Sequence, residues 1–186
     1  MDLAFSCDCG ALRGHLKDSS SKTGTRIVCH CGQCRRAQLY FEQPDPAPQG
    51  VDLFQTSADR VIFDQGQEHL SVMRLPNTKL LRWYADCCKT PMFNVVGVPR
   101  MAFASIQSQR LDDPSVLGRI KSEGFVRKAD GRQVHKGMGH LLTGLLSRAA
   151  AANLTGTWRK SPFFGEDGKP AKPIKQLTKE DVAHLS

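Results

Sequence analysis

A mainly β fold, a small sandwich or open barrel followed by C-terminal helices, is predicted by three observations. Short segments rich in β-branched and aromatic residues recur up to residue 108, turn residues punctuate them, and a helical spacing of apolar residues begins only beyond that point. At 186 residues the chain can bury one core without help from disulfides. Residues 1–108 are therefore expected to form a β domain that carries every cysteine, and residues 109–186 a helical and extended C-terminal extension packed on the same domain.

In chain order the strand candidates are Arg26–Val28, Leu39–Phe41, Val51–Phe54, Arg60–Phe63, Leu70–Met73, Leu80–Tyr84, Met92–Val95 and Met101–Ile106. Pro44, Pro46, Pro48 and Gly50 make a rigid extended connection, Asp64–Gln67 reads as a hairpin tip, and Pro76-Asn77 marks another turn. Beyond residue 108, Asp113 is an N-cap before Pro114 at the first helical position, with Val116, Leu117 and Ile120 as an apolar stripe that stops before Gly124. A longer helix is expected from about Gly139 to Asn153, because Leu141, Leu142, Leu145, Leu146 and Ala149 recur at spacings of three and four. That apolar face should pack on the sheet or on a partner subunit, which is compatible with a homo-oligomer. Gly165–Lys175, with Pro170 and Pro173, is expected as an extended arm, and Thr178 with Asp181 as the capping box of a last short helix.

All seven cysteines fall into three tight groups, Cys7-x-Cys9, Cys29-x-Cys31-x-x-Cys34 and Cys87-Cys88. Thiolates this close let one turn offer two sulfurs to a tetrahedral Zn²⁺, and groups distant in the chain must then complete the coordination shell. Gly10, Gly32 and Pro91 flank the groups, as in zinc knuckles, where a tight turn aims backbone N–H groups at the sulfurs. A lone cysteine pair is often only a small core residue, so the evidence lies in the groups taken together. His30, between two candidate ligands, is expected to point away from the metal and to pack or hydrogen-bond. Arg35 and Arg36 follow the last ligand closely enough to offset thiolate charge or to grip a substrate carboxylate.

A net charge of +8 and a pI near 9.3 raise the question of a polyanionic partner. The basic residues are dispersed, and seven thiolates on two Zn²⁺ ions would lower the net charge to about +5. Nucleic acid is disfavoured further because few aromatic residues interleave with the basic ones. No apolar run approaches the ~20 residues that span a bilayer, so no membrane partner is expected. The start, Met1–Cys7, lacks the basic and apolar stretches of a secretory signal. A cytoplasmic location is expected, where clustered cysteines persist as thiols or metal thiolates.

The order Cys7-Asp8-Cys9-Gly10, then Cys29-His30-Cys31-Gly32-Gln33-Cys34, then Cys87-Cys88-Lys89-Thr90-Pro91 resembles the glutathione-dependent formaldehyde-activating enzyme family, which includes centromere protein V. The resemblance covers residues 7 to about 108. It implies an Mss4-like β fold with two zinc sites, one closed and four-thiolate, the other three-thiolate with an open position. Carried onto this chain, Cys7, Cys9 and Cys88 belong to the first site and Cys29, Cys31 and Cys34 to the second. The chain departs from the family's late Cys-x-x-Cys-Gly, since Ala85 stands at the first cysteine and Lys89 at the glycine. Cys87 is the natural substitute ligand, provided the backbone turns sharply, because neighbours on a regular strand point to opposite faces. The alternatives are three thiolates completed by water or Asp86, or the loss of that zinc.

Two classes of function follow. The resemblance implies a zinc-dependent carbon–sulfur lyase acting on adducts of a small thiol such as glutathione with formaldehyde, with Arg35 or Arg36 anchoring an anionic group. The alternative is a non-catalytic zinc-stabilised or redox-sensing module, whose basic C-terminal extension contacts a protein or nucleic acid.

Overall fold

Period-2 alternation in the strands builds two packed sheets, as seen in a computed structural model that describes residues 1–185. The elements are β1 (Leu3–Ser6), β2 (Arg13–Leu16), β3 (Thr25–Cys29), α1 (Gly32–Tyr40), β4 (Val51–Ser57), β5 (Val61–Gln65), β6 (Leu70–Arg74), β7 (Leu80–Ala85), β8 (Thr90–Val96), β9 (Phe103–Gln107), β10 (Ser122–Arg127), β11 (Gln133–Lys136), α2 (Met138–Thr155) and β12 (Ile174–Gln176). A three-stranded sheet runs β1-β2-β5, and a nine-stranded sheet runs β11-β10-β3-β4-β9-β8-β7-β6-β12. Neither closes on itself, so the architecture is an open sandwich rather than a barrel.

The main core lies between the sheets. On one face of the large sheet, Phe54, Trp83, Phe93, Val95 and Ile106 meet Leu3, Phe5, Leu16 and Val61 of the small sheet. Phe5 packs edge-on to Phe93 and Phe163 packs against it at a tilt, at ring-centroid separations of 5.1 and 5.3 Å. Phe163 comes from the segment between α2 and the C-terminal arm and is fully buried. On the opposite face, Ala37 and Phe41 at the end of α1 pack with Met73, Tyr84, Leu177 and Val182 in a second cluster.

The β-rich first part and the long helix appear where the sequence predicts them, and three local expectations are corrected. Leu39–Phe41 is not a strand but the end and cap of α1, because Cys31 caps that helix by accepting the Cys34 N–H. The expected helix after Pro114 is a single turn, Pro114–Leu117, capped by Asp113 and stopped by Gly118 at φ 71. The chain then enters β10, which runs parallel to β3. Asp64–Gln67 is not a hairpin tip. Gly66, in the left-handed region, turns the chain from β5 in the small sheet to β6 in the large one. Leu142 and Leu146 on α2 face outward, since the helix buries only the strip around Ala152. The arm after Gly165 ends as β12 on the edge of the large sheet. The sequence also carries strands β1 and β2, four residues each, that its pattern did not reveal. The Thr178–Asp181 capping box forms reciprocally, with N–H to side-chain distances of 2.7 and 3.2 Å.

Because Phe163 fills the centre of the core from the segment between α2 and the arm, Phe163→Ala is expected to cost about 3–5 kcal/mol in urea unfolding. A loss below about 1 kcal/mol would show that this segment lies outside the cooperative unit.

Candidate metal centres

Two turns in different sheets build the first cysteine group. After β1 the chain reverses through Cys7–Gly10, where the Gly10 N–H bonds the Cys7 carbonyl at 3.0 Å and Gly10 takes φ 73. After β7 it reverses through Asp86–Lys89, with Lys89 at φ 56. The second turn supplies the sharp bend that adjacent Cys87 and Cys88 need to point the same way. Cys7 Sγ lies 3.6 Å from Cys9 Sγ and 3.9 Å from Cys87 Sγ, Cys9 lies 3.4 Å from Cys87, and Cys87 lies 3.8 Å from Cys88. A tetrahedron with Zn–S bonds of ~2.3 Å has edges of ~3.8 Å. The four sulfurs therefore fit one tetrahedral ion. Ala85, where the resemblance expects a ligand, is fully buried in the main core. Asp86 is drawn off by an ion pair with Lys89.

The surroundings hold these sulfurs in place. The Leu12 N–H donates to Cys7 Sγ at 3.3 Å. Thr90 Oγ1 lies 3.0 Å from Cys88 Sγ and donates to Asp8 Oδ2 at 2.8 Å, while the Asp8 N–H donates to Thr90 at 3.1 Å. Asp8 also pairs with the buried Arg110. Burial raises the Cys7 and Cys87 thiols. Burial raises Cys88 as well, yet hydrogen bonds from Thr90 and Cys9 outweigh it and bring the thiol to about 6.

The second group is compact in sequence. Cys29 ends β3, Cys31 caps α1, and Cys34 sits in its first turn, with the Cys34 N–H donating to Cys31 Sγ at 3.3 Å. The three sulfurs lie within 4.8 Å of one another. Hydrogen bonds from Cys29 and Cys31, with the charge of Arg82, hold the buried Cys34 thiol well below its ordinary value. The same contacts and burial push Cys29 up. Arg82 is 5% exposed and donates from Nη1 to Cys34 Sγ at 3.7 Å and to Asn94 Oδ1 at 2.7 Å. His30 Nδ1 lies 3.1 Å from the Pro48 carbonyl, a hydrogen-bonding role as expected.

Two clefts meet at this group. A cleft of about 420 Å³ is lined by Cys29, His30, Cys31, Arg35, Phe125 and Arg127. A second cavity of about 390 Å³ shares Cys29, Cys31 and Phe125 with it, adds Cys34 and Arg82, and extends under α2. Arg35 is locked in a two-pronged pair with Asp45, at 2.8 and 2.7 Å, and holds that carboxyl at about 2. Arg36 lines a separate surface cleft with Pro76, Asn77 and Lys179 that contains none of the cysteines.

Residues 2–175 match the profile of the Family of unknown function (DUF6151). The chain is a member of the DUF6151 family. No curated protein matches it. A crystal structure of a Rhodobacter sphaeroides protein is similar at 16% identity, with 63% of this chain and 96% of that chain covered and a TM-score of 0.44. The family match spans all three cysteine groups and reaches into β12. No helix among the described residues of this DUF6151 protein is long and apolar enough to cross a membrane.

Sequence reasoning overlooked Arg82 and Thr90. A signal for Arg82 was present, a charge within the apolar run Leu80–Tyr84, although alternation places it on the face away from Leu81 and Trp83, which α2 covers. Thr90→Val removes the hydroxyl that ties Cys88 to Asp8. It is expected to weaken metal binding at the four-sulfur group about 10–100-fold in chelator competition, and an unchanged affinity would show that Thr90 is only a packing residue.

Proposed function

We propose that this chain is a two-zinc protein in which the four-sulfur group is structural and the three-sulfur group is reactive. Its reaction is of the carbon–sulfur lyase class, on adducts between a small thiol and a carbonyl compound. One observation carries this: four cysteines can fill a tetrahedral shell alone, whereas Cys29, Cys31 and Cys34 leave one position that two clefts approach. All-sulfur donor sets favour zinc, copper(I) or iron–sulfur clusters, and four-coordinate thiolate sites are typical of zinc. The spacing of the cysteines, which resembles that of glutathione-dependent formaldehyde-activating enzymes, supports the reaction class.

Zinc held by Cys29, Cys31 and Cys34 would supply a Lewis acid that lowers the pKa of a bound thiol. Arg82, beside Cys34, offsets the negative charge that three thiolates leave in excess of a divalent ion. Arg127, which has no ion-pair partner among the described residues, gives the cleft a positive charge that suits an anionic thiol such as glutathione, while Asp45 offsets the charge of Arg35 and leaves its guanidinium to orient a ligand by hydrogen bonding. Asp45 fixes the direction of the Arg35 guanidinium. In the forward sense the thiol sulfur bonds to the carbonyl carbon and the C=O π pair moves to oxygen, which takes a proton. The lyase direction reverses each of these changes.

The test is zinc stoichiometry joined to activity. The native chain is expected to carry two zinc ions, and Cys87→Ser and Cys31→Ser one each. Serine at position 31 keeps an oxygen able to cap α1, so Cys31→Ser should stay folded by circular dichroism while losing at least about 100-fold in thiol–carbonyl exchange. Cys87→Ser should instead lower the melting temperature. Zinc-free protein from a chelator-free preparation would falsify the proposal, as would full activity in Cys31→Ser.

A further inference from the structure

The cavity under α2 has a floor unlike the rest of the large sheet. Strand register places Thr25 beside Gln55, Gln55 beside Ser105, Ser105 beside Asn94 and Asn94 beside Arg82. Five neighbouring strands thus set five polar side chains in one row on one face. Each is at most 8% exposed. Asn94 links the row, accepting from Arg82 Nη1 at 2.7 Å and donating from Nδ2 to Ser105 Oγ at 3.3 Å. Arg148 of α2 donates to Thr25 Oγ1 at the far end, at 3.2 Å.

The row is incomplete. Arg82 Nε and Gln55 Oε1 have no hydrogen-bond partner among the described residues, and both side chains line the cavity. A buried polar group left unpaired costs the free energy of its lost hydration, so such groups are nearly always satisfied. Gln33 Oε1, on the same cavity lining, is unpaired as well. The unmet donor, Arg82 Nε, calls for a ligand with an acceptor and apolar bulk, while the two glutamine oxygens call for a donor such as a bound water or a ligand hydroxyl. The apolar bulk has its own walls: Ile27, Leu53, Leu80 and Phe103 line the cavity beside the polar row, and Met138 and Leu141 bring α2 to it. At about 390 Å³ the cavity falls at the small end of ligand pockets, which run ~300–1,000 Å³.

An independent feature marks the boundary with the basic cleft. Phe125 takes φ 60, a left-handed conformation that bulky residues rarely adopt, at the bulge between Glu123 and Val126. Its amide N–H donates to His135 Nδ1 at 3.2 Å and its ring packs edge-on to His135, centroids 4.7 Å apart. Phe125, Cys29 and Cys31 are common to both clefts, so the aromatic ring stands between a basic approach to the sulfurs and an apolar one.

We propose that the apolar cavity binds the carbonyl substrate, an uncharged, mainly apolar ketone or aldehyde larger than formaldehyde. Its tail lies against Leu53 and Leu141, and its oxygen accepts the Arg82 Nε–H. The anionic thiol enters by the cleft of Arg35 and Arg127, because an ionised carboxylate in the apolar cavity would be buried with only one cation to meet it. This assignment of substrate class rests on the three-cysteine group being the reactive centre. Occupancy of the cavity does not.

Binding is measured on the full chain with the uncharged naphthyl ketone Prodan, by blue-shifted emission. Saturable binding is expected, displaced by methyl ketones of four, six and eight carbons, each added methylene tightening affinity by up to about fourfold. Glutathione and formaldehyde should not displace the dye. Leu141→Trp, on a half-exposed helix, should fill the cavity and weaken Prodan at least about tenfold. Arg82→Lys, which keeps the charge but loses the Nε–H, should weaken the ketones about tenfold. Melting curves check that both variants are folded, and Leu141→Trp decides the matter alone if Arg82→Lys is not. Non-saturable dye, no dependence on chain length, displacement by glutathione, or full affinity in folded Leu141→Trp would each overturn the proposal. Cys31→Ser separates the two assignments. Ketone binding with activity retained in Cys31→Ser removes the reactive centre and with it the substrate role, leaving only a ligand cavity. Absent ketone binding with activity lost in Cys31→Ser removes the cavity and leaves the reactive centre standing.

Discussion

The four-sulfur group is the joint on which the fold turns. Cys7 and Cys9 follow β1 of the small sheet, and Cys87 and Cys88 lie between β7 and β8 of the large one. Their sulfurs meet at separations that match tetrahedral metal geometry. A metal held there would cross-link two sheets whose cysteines are nearly eighty residues apart in the chain, closing a long loop that otherwise costs conformational entropy. The aromatic contacts of Phe5, Phe93 and Phe163 fill the space between the sheets beside this joint. Joint and core thus fix the small sheet over one face of the large one.

With one face committed to the core, the other is free for chemistry. Period-2 alternation sends Leu81, Trp83, Phe93 and Ile106 into the sandwich and turns Arg82, Asn94 and Ser105 the opposite way. In an isolated sheet that polar row would face water. Here the C-terminal part of the chain covers it, with β10 extending the sheet beside β3 and α2 closing over it. Cys29, Cys31 and Cys34 lie at the margin of this covered ground. Their position sets a buried cation, Arg82, beside Cys34, which is the electrostatic condition for keeping that one sulfur in its anionic form.

The candidate ligands were legible because a chelating site leaves a local mark: sulfurs that could share an ion come from short turns, and short turns are short spacings. The strands β4 to β9 were legible for the same local reason, alternation of apolar residues between turn signals. Helix α1 was misread because its last residues, Leu39-Tyr40-Phe41, have strong strand propensity, while the force that sets it is the cap at Cys31 and the burial of Ala37 and Phe41. Strand β10 was hidden by the helix-start signal at Asp113-Pro114, which governs one turn and no more once Gly118 leaves the helical region. The outward turn of Leu142 and Leu146 could not be read, since an apolar stripe does not say how much of it is covered.

The sequence by itself determined which residues can hold metal, since the donor atoms and their spacing are covalent facts. It also determined that most of the chain before residue 108 is β, since alternation is a local property. Only the tertiary structure decided that Cys87 and Cys88 both reach Cys7 and Cys9, because the bend at Lys89 and the approach of two separate sheets set that distance. It likewise decided that Arg82, Asn94, Ser105, Gln55 and Thr25 form one row. Strand register places residues from distant segments side by side, and register depends on how the whole sheet pairs.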